Sequence, residues 1–144
     1  LIGWTAAGGS LGDARALALA VFFFLWQVPH FWLLLMRCGE EYATAGLPSL
    51  RVRLGAAALG RLTFAWMAAT AGAAPLLALY GLTRSAWTVS LLFVAGAVLL
   101  HSGLALLRPQ AVPAAAVAFR WINGYAGFVM VLVVADAIRA ASVP

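Results

Sequence analysis

The chain has 144 residues, 65% of them hydrophobic and only 9% charged, and its mean hydropathy of +1.02 excludes an ordinary soluble domain, which needs more polar surface to meet water. Its net charge of +5 rests on nine arginines and no lysine, and in so apolar a chain this excess belongs to loops beside a lipid bilayer rather than to a nucleic-acid surface. Cys38 is a single cysteine, which excludes an intramolecular disulfide.

In chain order, LIGWTAA followed by Gly8, Gly9, Ser10 and Gly12 reads as the tail of an earlier spanning helix and its exit turn, so the chain is expected to be part of a longer protein. Charge-free runs between Arg15 and Arg37, Arg61 and Arg84, and Arg84 and Arg108 are each long enough to cross a core of roughly 30 Å at about 1.5 Å per residue. A fourth span starts after Pro113 and carries Arg120 inside it and Asp136 near its end. The expected fold is an all-α polytopic membrane helix bundle, residues 1–144 forming one membrane domain with spans near 14–37, 61–82, 85–107 and 114–138. The connection 37–61, about two dozen residues, is too long for a plain helical hairpin and is suspected of function. It holds Arg37, Arg51, Arg53 and Arg61, and Arg108 and Arg120 lie on the same side, against Arg15, Arg84 and Arg139 opposite, which predicts a cytoplasmic 37–61 loop.

The stretch from Phe22 to Leu50 combines lipid-grade apolar residues with chemical ones. At 100° per residue, Gln27, His30, Arg37 and Glu41 share a sector of about 80° on one helix face, which should meet protein or a watery cavity rather than lipid. Counting from the nearest arginines or helix start puts His30, His101 and Arg120 at a common depth, about 10 Å under the cytoplasmic surface, with Gln27 and Asn123 slightly deeper. Plainer roles exist for each: an intramembrane histidine can simply bond a neighbouring helix, Arg120 can snorkel, Glu40 and Glu41 can be solvated charges, and Trp26, Trp32, Trp66 and Trp121 can be packing or interfacial anchors. The chemical reading is that paired carboxylates beside arginines, above an apolar cavity, suit a lipid diphosphate bound through Mg²⁺, which is usually held by one or two carboxylates plus substrate phosphate.

WQVPHFW followed by EEYATAGLPSL resembles the heme O synthase family of UbiA-type intramembrane prenyltransferases. Trp26, Gln27, Pro29, His30, Phe31 and Trp32 match the family's W-Q-x-P-H-F-W-like helix, and Tyr42, Ala45, Gly46, Pro48 and Leu50 match its R-x-D-D-Y-x-x-A-G-x-P-M-L-like loop. Phe119, Asn123 and Tyr125 resemble its F-x-x-S-N-x-Y pattern. The resemblance implies a nine-helix all-α enzyme of which this chain is the C-terminal part. It further implies transfer of a farnesyl group from farnesyl diphosphate to heme B with Mg²⁺, and a multi-pass cell (inner) membrane location. Glu40 and Glu41 would hold Mg²⁺ and diphosphate and, with His30, be catalytic. Trp26, Gln27, Arg37, Tyr42, Arg120, Asn123 and Tyr125 would bind substrate. The family's aspartates are glutamates here, Val28 replaces a common Pro, and Ser49 stands where Met is usual. The first Asp-rich motif belongs to the N-terminal half of such an enzyme, which is therefore an expected partner, and the segment alone should be inactive. A quinone precursor or other aromatic acceptor, a transporter, and a non-catalytic bundle are the competing readings.

Overall fold

Inside a bilayer the backbone has no water to bond with, so each long apolar run must close its hydrogen bonds within itself. The computed structural model describes residues 1–44, 53–108 and 111–142, without the side chains of 39, 40, 42, 43 and 111, and these residues are helical with short turns. A five-residue helix α1 (Ile2–Ala6) is followed by α2 (Ala14–Thr44), α3 (Ala56–Leu76), α4 (Ala86–Gly103) and α5 (Ala111–Ser142). Single 3₁₀ turns, Leu77–Tyr80 and Leu104–Leu107, extend α3 and α4. Four of these helical stretches are long and apolar enough to cross a membrane: Ala14–Cys38, Ala56–Tyr80, Ala86–Leu107 and Val112–Ser142.

The boundaries depart from the sequence reading at several places, among them the start of α3 at Ala56, five residues ahead of the expected 61, and the end of α5 at Ser142, four beyond the expected 138. Helix α2 continues to Thr44, so Glu40 and Glu41 ride on its last turns instead of on a loop starting at 37. Glu and Ala are good helix formers, and one Gly at 39 costs only about 1 kcal/mol. Helix α5 begins at Ala111, ahead of Pro113, because a proline in the first turn lacks only an N–H that has no helical acceptor there.

The helices form a ring in which α2 packs on α3 and α5, and α4 packs on α3 and α5, with α3 also touching α5 across the middle. The core is made of Phe22, Leu33 and Met36 from α2, Leu59, Met67, Ala71 and Ala74 from α3, Leu92 and Leu99 from α4, and Ile122, Tyr125 and Val129 from α5. Phe24, Leu62, Trp87, Phe93, Val131 and Ile138 point outward, as lipid-facing positions do. Thr63 and Thr70 are fully buried, and each hydroxyl donates to its own helix four residues back, to Leu59 O at 2.7 Å and Trp66 O at 2.8 Å.

Two inter-helix ties depend on backbone groups. Pro75 has no N–H, so the Ala71 carbonyl one turn earlier loses its helical donor. The Tyr125 hydroxyl of α5 donates to that carbonyl at 3.2 Å. At the other end of α5, buried Asp136 accepts from Arg84 N at 2.6 Å and from Thr88 Oγ1 at 2.7 Å. It thereby caps the start of α4, where Ser85 makes no side-chain cap bond.

Candidate functional site

Helix α5 runs antiparallel to α2 and brings Phe119 and Asn123 against Trp26, His30 and Arg37. His30 Nδ1 and Asn123 Oδ1 are 2.8 Å apart, and Asn123 Nδ2 donates to the Phe119 carbonyl at 2.7 Å. That second bond fixes which end of the amide faces the imidazole, so Nδ1–H donates to Oδ1 and Nε2 is the ring nitrogen left for another partner. The imidazole is held between two aromatic rings, Trp26 at 4.8 Å and Phe119 at 5.0 Å, centroid to centroid. Trp26 is itself tied to α5 through Nε1, which donates to Ile122 O at 3.2 Å. Toward the Thr44 end of α2 the Arg37 guanidinium lies 5.2 Å over the Phe119 ring, a cation–π contact.

His30 pairs with Asn123, which helix counting put slightly deeper, rather than with Arg120 or His101, which it put at the depth of His30. The polar stripe on α2 is a single face: Gln27, Arg37 and Glu41 are exposed and His30 is half-buried at the edge that meets α5. Arg120 is exposed on α5, one turn before Asn123 brings its amide to His30. The side chains of Glu40 and Tyr42, and residues 45–52 with Arg51, lie outside the described residues.

Two expected members do not join this group. Tyr125 lies two residues past Asn123, about 200° around the helix, and its buried hydroxyl serves Ala71 on α3. His101 is exposed on α4, with no hydrogen bond or ring contact among the described residues. Phe119 is more central than the sequence suggested. It stacks on His30, lies under Arg37 and accepts from Asn123, and its place one turn before Asn123 on the same face was the available signal.

An apolar groove of about 380 Å³ runs between α4 and α5, lined by residues including Val98, Trp121, Tyr125 and Phe128, and another of about 260 Å³ lies between α2 and α3 beside Phe22 and Tyr80. Neither includes His30 or Glu41. Among the described residues no three His, Cys, Asp or Glu side chains gather as a metal site.

The model of the UbiA prenyltransferase family matches residues 1–135. A protoheme IX farnesyltransferase of Haloarcula marismortui is 35% identical over 139 residues, 96% of this chain and 29% of the relative. The protein of the same name from Haloquadratum walsbyi is 35% identical over 94% of the chain and 28% of its own length. One from Geobacter sulfurreducens reaches 47% identity over 57% of the chain and 30% of its own length. The chain thus spans less than a third of the curated relatives it matches, and no solved structure matches it.

Proposed function

We propose, from the premise that this chain belongs to the UbiA prenyltransferase family, that it is part of an enzyme moving a farnesyl group from farnesyl diphosphate to a vinyl group of heme B, giving heme O and diphosphate. The observation that carries this reading is one face of α2 that leads from an aromatic-clamped imidazole, His30, through Arg37 to Glu41, in a chain whose relatives are named protoheme IX farnesyltransferase.

In this reading the allylic C1–O bond breaks and its electron pair leaves with the diphosphate. The terminal vinyl carbon then bonds to C1, and water adds to the cation left on the inner vinyl carbon with release of a proton. Arg37, exposed at the cytoplasmic end of the stripe, neutralises the departing diphosphate, with Arg120 as a second cation on α5. Trp26 and Phe119 hold the His30 imidazole from α2 and α5, at the depth of the acceptor. Gln27, exposed one turn deeper than His30, lines the acceptor side, and Tyr42 follows the acidic pair in the sequence.

The family resemblance implies Mg²⁺. Exposed Glu41 fits such an ion, which keeps several waters and takes substrate phosphate oxygens in place of a full protein cage. Glu41 with Glu40 would hold it, completed by an acidic motif elsewhere in the full-length enzyme. The ion supplies charge neutralisation of the diphosphate. The arginine distribution, six on the side of the 37–61 connection and three opposite, supports a cytosol-facing diphosphate end, in a cell (inner) membrane.

The test incubates membranes containing the full-length protein with heme B, farnesyl diphosphate and Mg²⁺ and reads farnesylated heme by mass. Glu40→Gln with Glu41→Gln should slow transfer by about 10²-fold or more, the scale of losing an electrostatic contact to the leaving group. Undiminished transfer in the double variant, or no farnesylated heme from the parent, overturns the assignment.

A further inference from the structure

We infer that Asn123 is a positioning residue that holds His30 as its Nδ1–H tautomer, and that the Nε2 lone pair so presented is an axial ligand for the iron of the porphyrin acceptor. The inference rests on the acceptor being heme, as proposed above.

Three observations carry it. First, the amide orientation is set from outside the pair: Asn123 Nδ2 is committed to Phe119 O at 2.7 Å, so only Oδ1 is left to face His30 Nδ1 at 2.8 Å. A histidine that ligates a metal nearly always gives its other N–H to such an acceptor, and a proximal histidine is one of the standard ways of holding heme iron. Second, the ring cannot swing freely about its bond to the chain, because Trp26 and Phe119 flank it at 4.8 and 5.0 Å with interplanar angles of 42° and 40°. Third, Nε2 has no partner among the described residues, yet it is not one of the buried orphaned side-chain atoms, which are Trp4 Nε1 and Thr83 Oγ1. His30 is half-buried, so its side chain keeps part of its surface accessible.

Position along α2 separates this role from contact with the diphosphate. His30 precedes Glu41 by eleven residues of continuous helix, roughly 16 Å of axial rise. A headgroup held at Glu41 stands about three turns above the imidazole, which leaves the ring at the depth of the acceptor. Ligation itself moves no proton and no electron: Nε2 donates its pair to iron, an Fe–N bond forms, and any water on that face of the iron departs. The macrocycle is then fixed across the imidazole axis, with its vinyl-bearing edge free to turn toward the diphosphate end.

The experiment uses the full-length protein in nanodiscs, titrated with heme B and followed by ferrous resonance Raman, by absorption and by potentiometry. The parent should show an iron–histidine stretch, lost in His30→Ala and replaced by an iron–imidazole stretch when imidazole is added. Asn123→Ala should weaken heme binding by about 10- to 100-fold, the usual effect of removing the partner of a ligating histidine. Asn123→Asp, close to Asn in shape, should keep ligation and lower the heme reduction potential, because a carboxylate draws the Nδ1 proton and makes Nε2 a stronger donor. A purely structural Asn123 would leave that potential unmoved. An unchanged iron–histidine stretch in His30→Ala, or an unchanged potential in Asn123→Asp, overturns the inference, and the second readout stands even if His30→Ala fails to fold. The two levels are separable. A parent that does not farnesylate heme removes the functional reading and this one with it, whereas a parent that does so without histidine ligation removes only this one.

Discussion

The hydroxyl of Tyr125 and the ring of Pro75 should be energetically coupled although they sit on different helices. Proline leaves the Ala71 carbonyl without its helical donor, and Tyr125 supplies a replacement at 3.2 Å in a buried setting. Tyr125→Phe keeps the ring, including its packing 6.4 Å from Phe22, and removes only the donor. A buried acceptor left unpaired costs about 1–3 kcal/mol in general, and inter-helix bonds in membranes average about 0.6 kcal/mol, so with this rather long bond the expected loss is about 1 kcal/mol. In a Pro75→Ala background the new N–H can reach Ala71 O, and the same Tyr125→Phe change should cost under about 0.5 kcal/mol, a coupling of about 0.5 kcal/mol or more. Reversible unfolding of the four proteins of this cycle in mixed micelles reads both numbers. Equal costs of Tyr125→Phe in the two backgrounds would refute the idea that the tyrosine compensates for the proline.

Two other expectations concern the ends of helices. Asp136→Ala removes both acceptors from the start of α4 and should destabilise the bundle by about 2–4 kcal/mol, against about 1 kcal/mol for Thr88→Val, by the same unfolding assay. Asp13 accepts from Arg15 N at 2.9 Å and pairs with its guanidinium at 2.7 Å, and these side-chain and backbone hydrogen bonds hold its carboxyl below the ordinary 3.8. A carboxyl depressed by folding contributes stability that is fully present above its unfolded value and lost as pH falls through the folded one. Amide exchange at the first turn of α2 should therefore be insensitive to pH-linked fraying above about 4, after correction for intrinsic exchange, and show extra opening only in stronger acid; fraying that begins near neutrality would contradict this.

Much of this fold is legible because arginines are rare and costly in lipid. Arg15, Arg84 and Arg108 bracket the spans closely, since a spanning run must be both apolar and long, whereas Arg61 lies five residues inside α3. Helical projection grouped Gln27, His30, Arg37 and Glu41, and depth counting put Asn123 within about a turn of His30, because rise and twist are fixed by backbone geometry alone. The helix end at Thr44 was not legible, since Cys38 to Thr44 carries loop-like charge on residues with ordinary helix propensity. The two ties across the bundle were also hidden. Capping rules look a few residues away, whereas Asp136 reaches a helix start 48 to 52 residues earlier, and Tyr125 answers a proline 50 positions upstream. Tyr125 followed the family pattern into the expected site, yet a two-residue offset on a helix points it to the opposite side.

The unbroken run of α2 from His30 to Glu41 makes rotation, as well as length, part of the design. One residue inserted between them would swing the carboxylate by about 100° around the rod, out of phase with the imidazole, whereas seven inserted residues would return it to within about 20° and lift it by two turns. Between His30 and Glu41 the chain therefore has almost no latitude for added or lost residues.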